Sequence, residues 1–167
     1  MAPLIRTATP DDAAEIVALV CRLAAFEGGV DALALTEDIV RRDGFGPGRR
    51  FEVLLAEERG DILGGVILLE SYSSWAGAPA LIIHDLYVDQ AVRSRGLGRA
   101  LLAAAADIAV ARGCCRLDVN VLSWNQAARR FYQGLGFASL ADWQPHRLDT
   151  EGLRRLAALA VTPPEPA

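Results

Sequence analysis

Chemistry concentrates where a strand-like run gives way to glycines and arginines: Val88-Asp89-Gln90-Ala91-Val92-Arg93-Ser94-Arg95-Gly96-Leu97-Gly98-Arg99-Ala100-Leu101-Leu102. A strand enters, Gly96 and Gly98 let the backbone turn tightly, and an Ala/Leu helix leaves. Consecutive backbone N–H groups then point into one concavity at the helix N-terminus, where the helix dipole also favours an anion. Arg93, Arg95 and Arg99 add positive charge, so the turn suits a pyrophosphate. A plain glycine-bearing connection with solvated arginines is the other reading of the same residues. Dinucleotide binding fits less well. Gly96-Leu97-Gly98-Arg99-Ala100-Leu101 ends on Leu where that fingerprint wants a small residue, although Asp118 imitates the ribose-binding acid.

Other reactive side chains are few. Tyr132 follows Phe131 on a helical stretch and is either a phenol donor or a core aromatic. His84 and Asp85 adjoin on the strand before the turn, and strand alternation puts them on opposite faces unless a bulge intervenes. An imidazole titrates in the physiological range. His84 is therefore a candidate general base, or a neutral hydrogen-bonding residue beside a chain of waters. His146, between Pro145 and Arg147, reads as structural or exposed. Cys21, Cys114 and Cys115 make neither a Cys-x-x-Cys pair nor an even disulfide framework. No metal site is expected from them, and a reduced, cytoplasmic protein is the simplest reading.

These groups must be held by elements that the pattern predicts. Residues 4–6 suit a short first strand, and Thr9-Pro10-Asp11-Asp12 suits a helix start with Thr9 as cap and Pro10 at the first helical position. Ile16, Leu19, Val20 and Leu23 give that helix one buried stripe, which Gly28-Gly29 ends. A shorter helix follows Thr36, and residues 43–48 read as a loop. Strands over 51–57 and 62–69 flank the turn Arg59-Gly60-Asp61, and 71–77 is a polar loop carrying Tyr72 and Trp75. Then come a strand over 80–88, a helix over 98–112, a strand over 116–122, a helix over 125–133 stopped by Gly134 and Gly136, and a strand from Phe137. Hairpins early and one βαβ unit late imply an α/β (α+β mixed) fold: a mixed, mostly antiparallel central sheet with helices on both faces.

The chain has 167 residues, enough for one domain, expected over 1–161, with the Pro-rich 162–167 a disordered tail. Apolar residues at 52% against 23% charged exclude disorder for most of it. A net charge of −4 argues against a general binder of nucleic acid or of an anionic membrane. All 17 basic residues are arginine, which removes Schiff-base lysine chemistry and the Walker A lysine. No uncharged run approaches the roughly 18 residues that span a bilayer, and residues 1–6 lack the layout of a signal peptide.

Arg93-x-x-Gly96-x-Gly98 resembles the acyl-CoA pyrophosphate signature of the GNAT superfamily of N-acetyltransferases, and the likeness runs from Ile5-Arg6 to about Leu156. More narrowly the chain resembles the diamine acetyltransferase branch, which includes spermidine/spermine and thialysine N-acetyltransferases. The matching pieces are Leu35-Thr36-Glu37, Asp43-Gly44-Phe45-Gly46, Tyr72 with Trp75, Asp85-Leu86-Tyr87-Val88, Trp124-Asn125, Phe131-Tyr132, and Trp143 with Arg147-Leu148. The resemblance implies the GNAT fold, acetyl-CoA as co-substrate, a small-molecule amine as acceptor, no metal and a homodimer. It implies that Leu86, Tyr87 and Val88 offer backbone to the pantetheine arm. Arg93, Ser94, Arg95, Gly96, Leu97, Gly98 and Arg99 would cradle the pyrophosphate. Asn125 and Ala128 would line the other side of the cofactor, Tyr132 would face the departing sulfur, and Phe26, Glu27 and Trp75 would lie near the acceptor. One departure stands out: Ile83-His84-Asp85 occupies the place where the branch has Glu-Asp.

Acetyl transfer to an amine needs a neutral amine, alignment, a stabilised oxyanion and a stabilised thiolate. His84, Asp85 and Tyr132 are the catalytic candidates. Replacing a carboxylate by imidazole weakens attraction for polycations, so a short amine, or one carrying its own carboxylate, is expected to be used better than spermine. Acetylation of a protein N-terminus or lysine, and a non-catalytic acyl-CoA-binding module, are the alternative readings.

Overall fold

The structure is a computed structural model that describes residues 3–160; the expected tail at 162–167 lies outside them. The chain divides into two compact units, Met1–Asn125 and Gln126–Ala167. The first holds a five-stranded sheet in chain order: β1 (Leu4–Thr7), β2 (Glu52–Glu58), β3 (Asp61–Ser73), β4 (Ala78–Val88) and β5 (Leu117–Val119). Every neighbouring pair is antiparallel except β4 with β5, which is parallel. The expected mixed, mostly antiparallel sheet is what forms.

One helix packs on each face. α1 (Ala13–Glu27) buries Ala13, Ile16 and Leu19 against Val53, Leu55, Ile67 and Tyr87. Each such fully buried aliphatic is worth about 1.5–3 kcal/mol. A Cβ on Gly65 would stand 2.9 Å from Leu19, so glycine is what lets α1 approach β3 this closely. α3 (Leu97–Ala111) buries Leu97, Leu101, Leu102, Ala105 and Ala109 and packs on β2, β3 and β4. Alternation along β3 turns Ile67 toward α1 and the buried Val66 and Leu68 to the opposite face. Arg112, at the end of α3, ties the helix to the sheet through Glu52 (2.6 and 2.8 Å) and Glu70 (3.0 Å).

At the start of α1, Thr9 does not cap in the usual sense. Its backbone N–H (2.7 Å) and hydroxyl (3.0 Å) both donate to the Asp12 carboxylate, which also takes two bonds from Arg6 on β1. Gly28, at φ +76°, ends the helix. Its left-handed backbone is one that glycine adopts without strain.

Several expected boundaries move. Residues 41–45 continue the short α2 (Glu37–Val40) as a π-helical turn, where a loop was expected from Asp43. β3 continues to Ser73, so Ser71 and Tyr72 are strand residues paired with Ala80 and Pro79. The strand expected over 116–122 shrinks to Leu117–Val119.

In the second unit, α4 (Gln126–Gly134) appears as expected, but no strand follows Phe137 among the described residues. The Phe137 N–H instead folds back to the Tyr132 carbonyl at 3.1 Å, which finishes the helix and takes that donor away from any ladder. A helix the pattern reading missed, α5 (Thr150–Ala157), starts where the Asp149 carboxylate accepts from the Gly152 N–H at 2.7 Å.

Candidate active site

The decisive irregularity is on β4. Asp85 pairs with Ile67 and Ile83 with Leu68, so His84 has no partner across the ladder and is bulged out. The bulge turns Asp85 and Tyr87 onto the α1 face, while Ile83 stays with Leu68 on the other. Strict alternation alone would have kept all three together. His84 is exposed at the kink and Asp85 is half-buried.

Beyond the bulge, β4 loses its outer neighbour. β5 pairs only with Leu81, Ile82 and Ile83. No strand among the described residues covers that side of residues 85–88, so a stretch of edge is left for an extended ligand. The expected pantetheine segment, Leu86, Tyr87 and Val88, lies on this edge.

The edge runs into the glycine turn. Ser94 (φ +67°) and Gly96 (φ +84°) are both left-handed, and α3 begins at Leu97 with Gly96 as its cap residue. A Cβ on Gly96 would meet nothing within 4 Å, so the space in front of the helix N-terminus is open, as a pyrophosphate cradle requires. Ser94, Arg95 and Arg99 are exposed around it. The arginines are not all aimed there. Arg95 pairs with Glu58 at 2.8 Å, and Arg93 turns back to donate from Nε to the Val88 carbonyl at 3.1 Å.

Arg93 thereby reaches the end of α1. Its guanidinium carbon lies 5.3 Å from the Phe26 ring centroid and 5.9 Å from that of Tyr87. Phe26 also meets Trp124, at 5.9 Å between centroids. Burial holds the Asp85 carboxyl above its usual range, and the charge of His84 opposes that rise. Glu27 is also held high, first by burial and then by the negative charge of Asp85. Between α1 and the sheet a void of about 10 Å³, bordered by Leu19, Leu23, Gly65, Asp85 and Tyr87, has room for roughly one water.

The structure thus gathers Phe26, Glu27, His84, Asp85, Tyr87 and Arg93 at one end of β4. Trp75 is not with them. It stands at the tip of the β3–β4 hairpin, the opposite end from Val88, and is 98% exposed. Asn125 ends the first unit, its N–H donating to the Leu122 carbonyl at 2.9 Å.

Ala128 and Tyr132 belong to α4 of the second unit. Tyr132 is buried, edge-on to Phe131 and Phe137 (5.3 Å in each case), and burial pushes its phenol pKa up to about 12. The phenol therefore stays protonated at any physiological pH and keeps its O–H as a donor.

One residue of this region was not singled out by the sequence reading: Arg22, whose guanidinium carbon lies 5.8 Å from the Tyr87 ring. The helical stripe could have flagged Arg22, since it adjoins Leu23 on α1. Among the described residues no group of three His, Cys, Asp or Glu is placed to hold a metal ion, and no helix is long and apolar enough to cross a membrane.

A split sheet edge leading into a glycine turn frames the candidate site. Residues 22–137 match the Acetyltransferase (GNAT) family. The chain belongs to that family and is an N-acetyltransferase. Within it the likeness is to the diamine branch. The chain is 31% identical to thialysine N-epsilon-acetyltransferase of Bos taurus, over 92% of this chain and 96% of that one. It is 33% identical to human spermidine/spermine N(1)-acetyltransferase-like protein 1, over 92% of this chain but 23% of that longer protein. In fold it is similar to an integron cassette protein from the mobile metagenome of V. cholerae, with a TM-score of 0.80, 24% identity and coverage of 94% of this chain and 98% of that one.

Proposed function

We propose that the protein moves an acetyl group from acetyl-CoA to the primary amine of a small molecule, by direct attack in a ternary complex. The observation that carries this reading is the uncovered β4 edge at residues 85–88, bounded by the His84 bulge and by the Gly96 turn. Pantetheine would lie along that edge as a surrogate strand, with its pyrophosphate on the N–H groups before α3. The thioester would then arrive beside Asp85, where Glu27 and His84 supply polar groups for an amine. The names of the thialysine and spermidine/spermine relatives support a small amine as acceptor.

An alkylammonium has a pKa of about 10.4, so roughly one molecule in a few thousand is neutral at pH 7 and a base must take the proton. His84, with Asp85 beside it, is proposed as that base, directly or through one water. The amine nitrogen bonds to the carbonyl carbon, the strand N–H groups at 86–88 hold the oxyanion, and the C–S bond breaks. Tyr132 is proposed to donate a hydrogen bond to the leaving thiolate. Full proton donation from a phenol at about 12 to a thiolate at about 8.5 is uphill by about 5 kcal/mol, so the bond and not the transfer is its contribution. A homodimer and a cytoplasmic location complete the proposal.

The test is acceptor-dependent thiol release from acetyl-CoA with a panel of small amines beside peptides. Release with small amines is expected. Release with peptides alone would make the protein a protein acetyltransferase, and tight CoA binding with no release would make it a binding module.

A further inference from the structure

The glycine turn has an acid beside it that the chemistry above leaves unused. Glu58 is the last residue of β2, and alternation puts it on the same side of the sheet as Leu54 and Ala56, toward α3. Val53 and Leu55, on the other side, belong to the core under α1. The hairpin that follows is tight: Glu58 pairs with Asp61, and Arg59 (φ +58°) and Gly60 (φ +90°) between them are both left-handed. Two left-handed residues make the turn whose twist matches that of the strands. A well-defined hairpin, and not a loose loop, therefore carries the carboxylate. Facing it is Arg95, whose Nη2 donates to Glu58 Oε1 at 2.8 Å.

Arg95 adjoins Gly96, the cap residue of α3, so its guanidinium is within reach of any anion held by the N–H groups of that helix end. In the free protein it is committed to a carboxylate instead. Both partners of the pair touch water, and an ion pair of that kind is weak enough to be exchanged. Turning Arg95 onto a diphosphate takes it off Glu58. The exchange also leaves that carboxylate close to the negative charge of the ligand.

We propose that Glu58 is a competitor of the cofactor's pyrophosphate: it holds Arg95 in the free protein, gives it up when CoA binds and takes it back as CoA leaves. This rests on the acetyl-CoA reading above. Glu58 is a positioning residue that acts through Arg95 and touches no reacting atom. It loosens the grip on the nucleotide end of the cofactor, which eases the replacement of spent CoA by acetyl-CoA.

The experiment measures binding of CoA and of dephospho-CoA, which keeps the pyrophosphate and lacks the 3′-phosphate, by calorimetry. Glu58→Gln is expected to bind both at least threefold more tightly than the unmodified protein, to release CoA more slowly in stopped flow and to lower KM for acetyl-CoA. In an Arg95→Gln protein the same substitution should change either affinity less than 1.5-fold. Glu58→Asp, which draws the carboxylate back by one methylene, should fall between the unmodified protein and Glu58→Gln. Weaker CoA binding by Glu58→Gln would mean that the acid orients Arg95 for the ligand, and would overturn the proposal. So would a full gain in the Arg95→Gln protein, which would be a general effect of charge, or a gain seen with CoA and absent with dephospho-CoA, which would place the competition at the 3′-phosphate. Should the unmodified protein bind neither nucleotide, the acetyl-CoA reading falls as well. Thermal melts of each variant separate a folding defect from a changed contact.

Discussion

Ile83 and Asp85 lie two residues apart on one strand and face opposite sides of the sheet. His84, bulged between them, is the cause. The inversion places a carboxyl in the α1 layer, where its neighbours are mostly apolar, and there the ionised form is poorly solvated.

That burial has a measurable stability cost. A carboxyl whose folded pKa is raised favours the folded state at low pH and loses that contribution as pH rises through its folded value. Asp85→Asn removes the ionisation altogether. The variant is expected to melt a few degrees higher than the unmodified protein at pH 7 and at nearly the same temperature at pH 4, by calorimetry at the two pH values. It should also bring Glu27 part of the way back toward the usual carboxyl range, because burial still raises it but the negative charge of Asp85 is gone, and a carboxyl-carbon NMR titration reads this directly.

Asp12 behaves in the opposite sense. The Arg6 guanidinium beside it, with the Thr9 N–H and hydroxyl, holds its pKa down to about 2 from an ordinary 3.8. The contribution of this cluster is complete above about pH 4 and disappears as pH falls toward 2. Asp12→Ala should destabilise the protein by about 1–2 kcal/mol at neutral pH. It should also flatten the acid limb of a stability–pH curve between pH 4 and 2. An acid limb of unchanged slope would assign it to other carboxylates.

The elements of the candidate site were legible to different degrees. Gly96 and the arginines around it could be read because a glycine turn before a helix is a local signal. The bulge could not, since it depends on which residue of β3 pairs with which residue of β4, and His84-Asp85 looks like any strand dipeptide until the register is fixed. The strand expected at Phe137 failed for a related reason: an apolar aromatic after a glycine suits a ladder, but its N–H is taken by Tyr132 at the end of α4. α5 was readable from Asp149-Thr150-Glu151, an ordinary helix start.

At the glycine turn, Gly96→Asp should weaken CoA binding at least tenfold in calorimetry, because a negative side chain would enter the open space before α3. Gly96→Asn carries the same strain at φ +84° without the charge. It should lose far less affinity. Equal losses in the two variants would mean that shape, and not an anion, is recognised there.

Tyr132→Phe should lower kcat at least tenfold with acetyl-CoA affinity within twofold, since one hydroxyl is lost and the packing against Phe131 and Phe137 kept. Stopped-flow turnover and direct binding measure the two quantities separately. Unchanged turnover would leave Tyr132 as a packing residue.

The short β5 has one more consequence. With no strand beyond Ile83 among the described residues, that edge is an open seam that an extended chain could dock against, including the seam of another copy. Arg93 guards it: its Nε occupies the Val88 carbonyl, and its charge lies over the entrance at Phe26 and Tyr87. A second copy approaching edge to edge would have to bury that charge against its own. On the proposed reading the same side chain lies where pantetheine would run, so it would have to swing aside for the co-substrate. Arg93→Ala is expected to raise light scattering with protein concentration, and saturating CoA, by filling the seam, to suppress that rise.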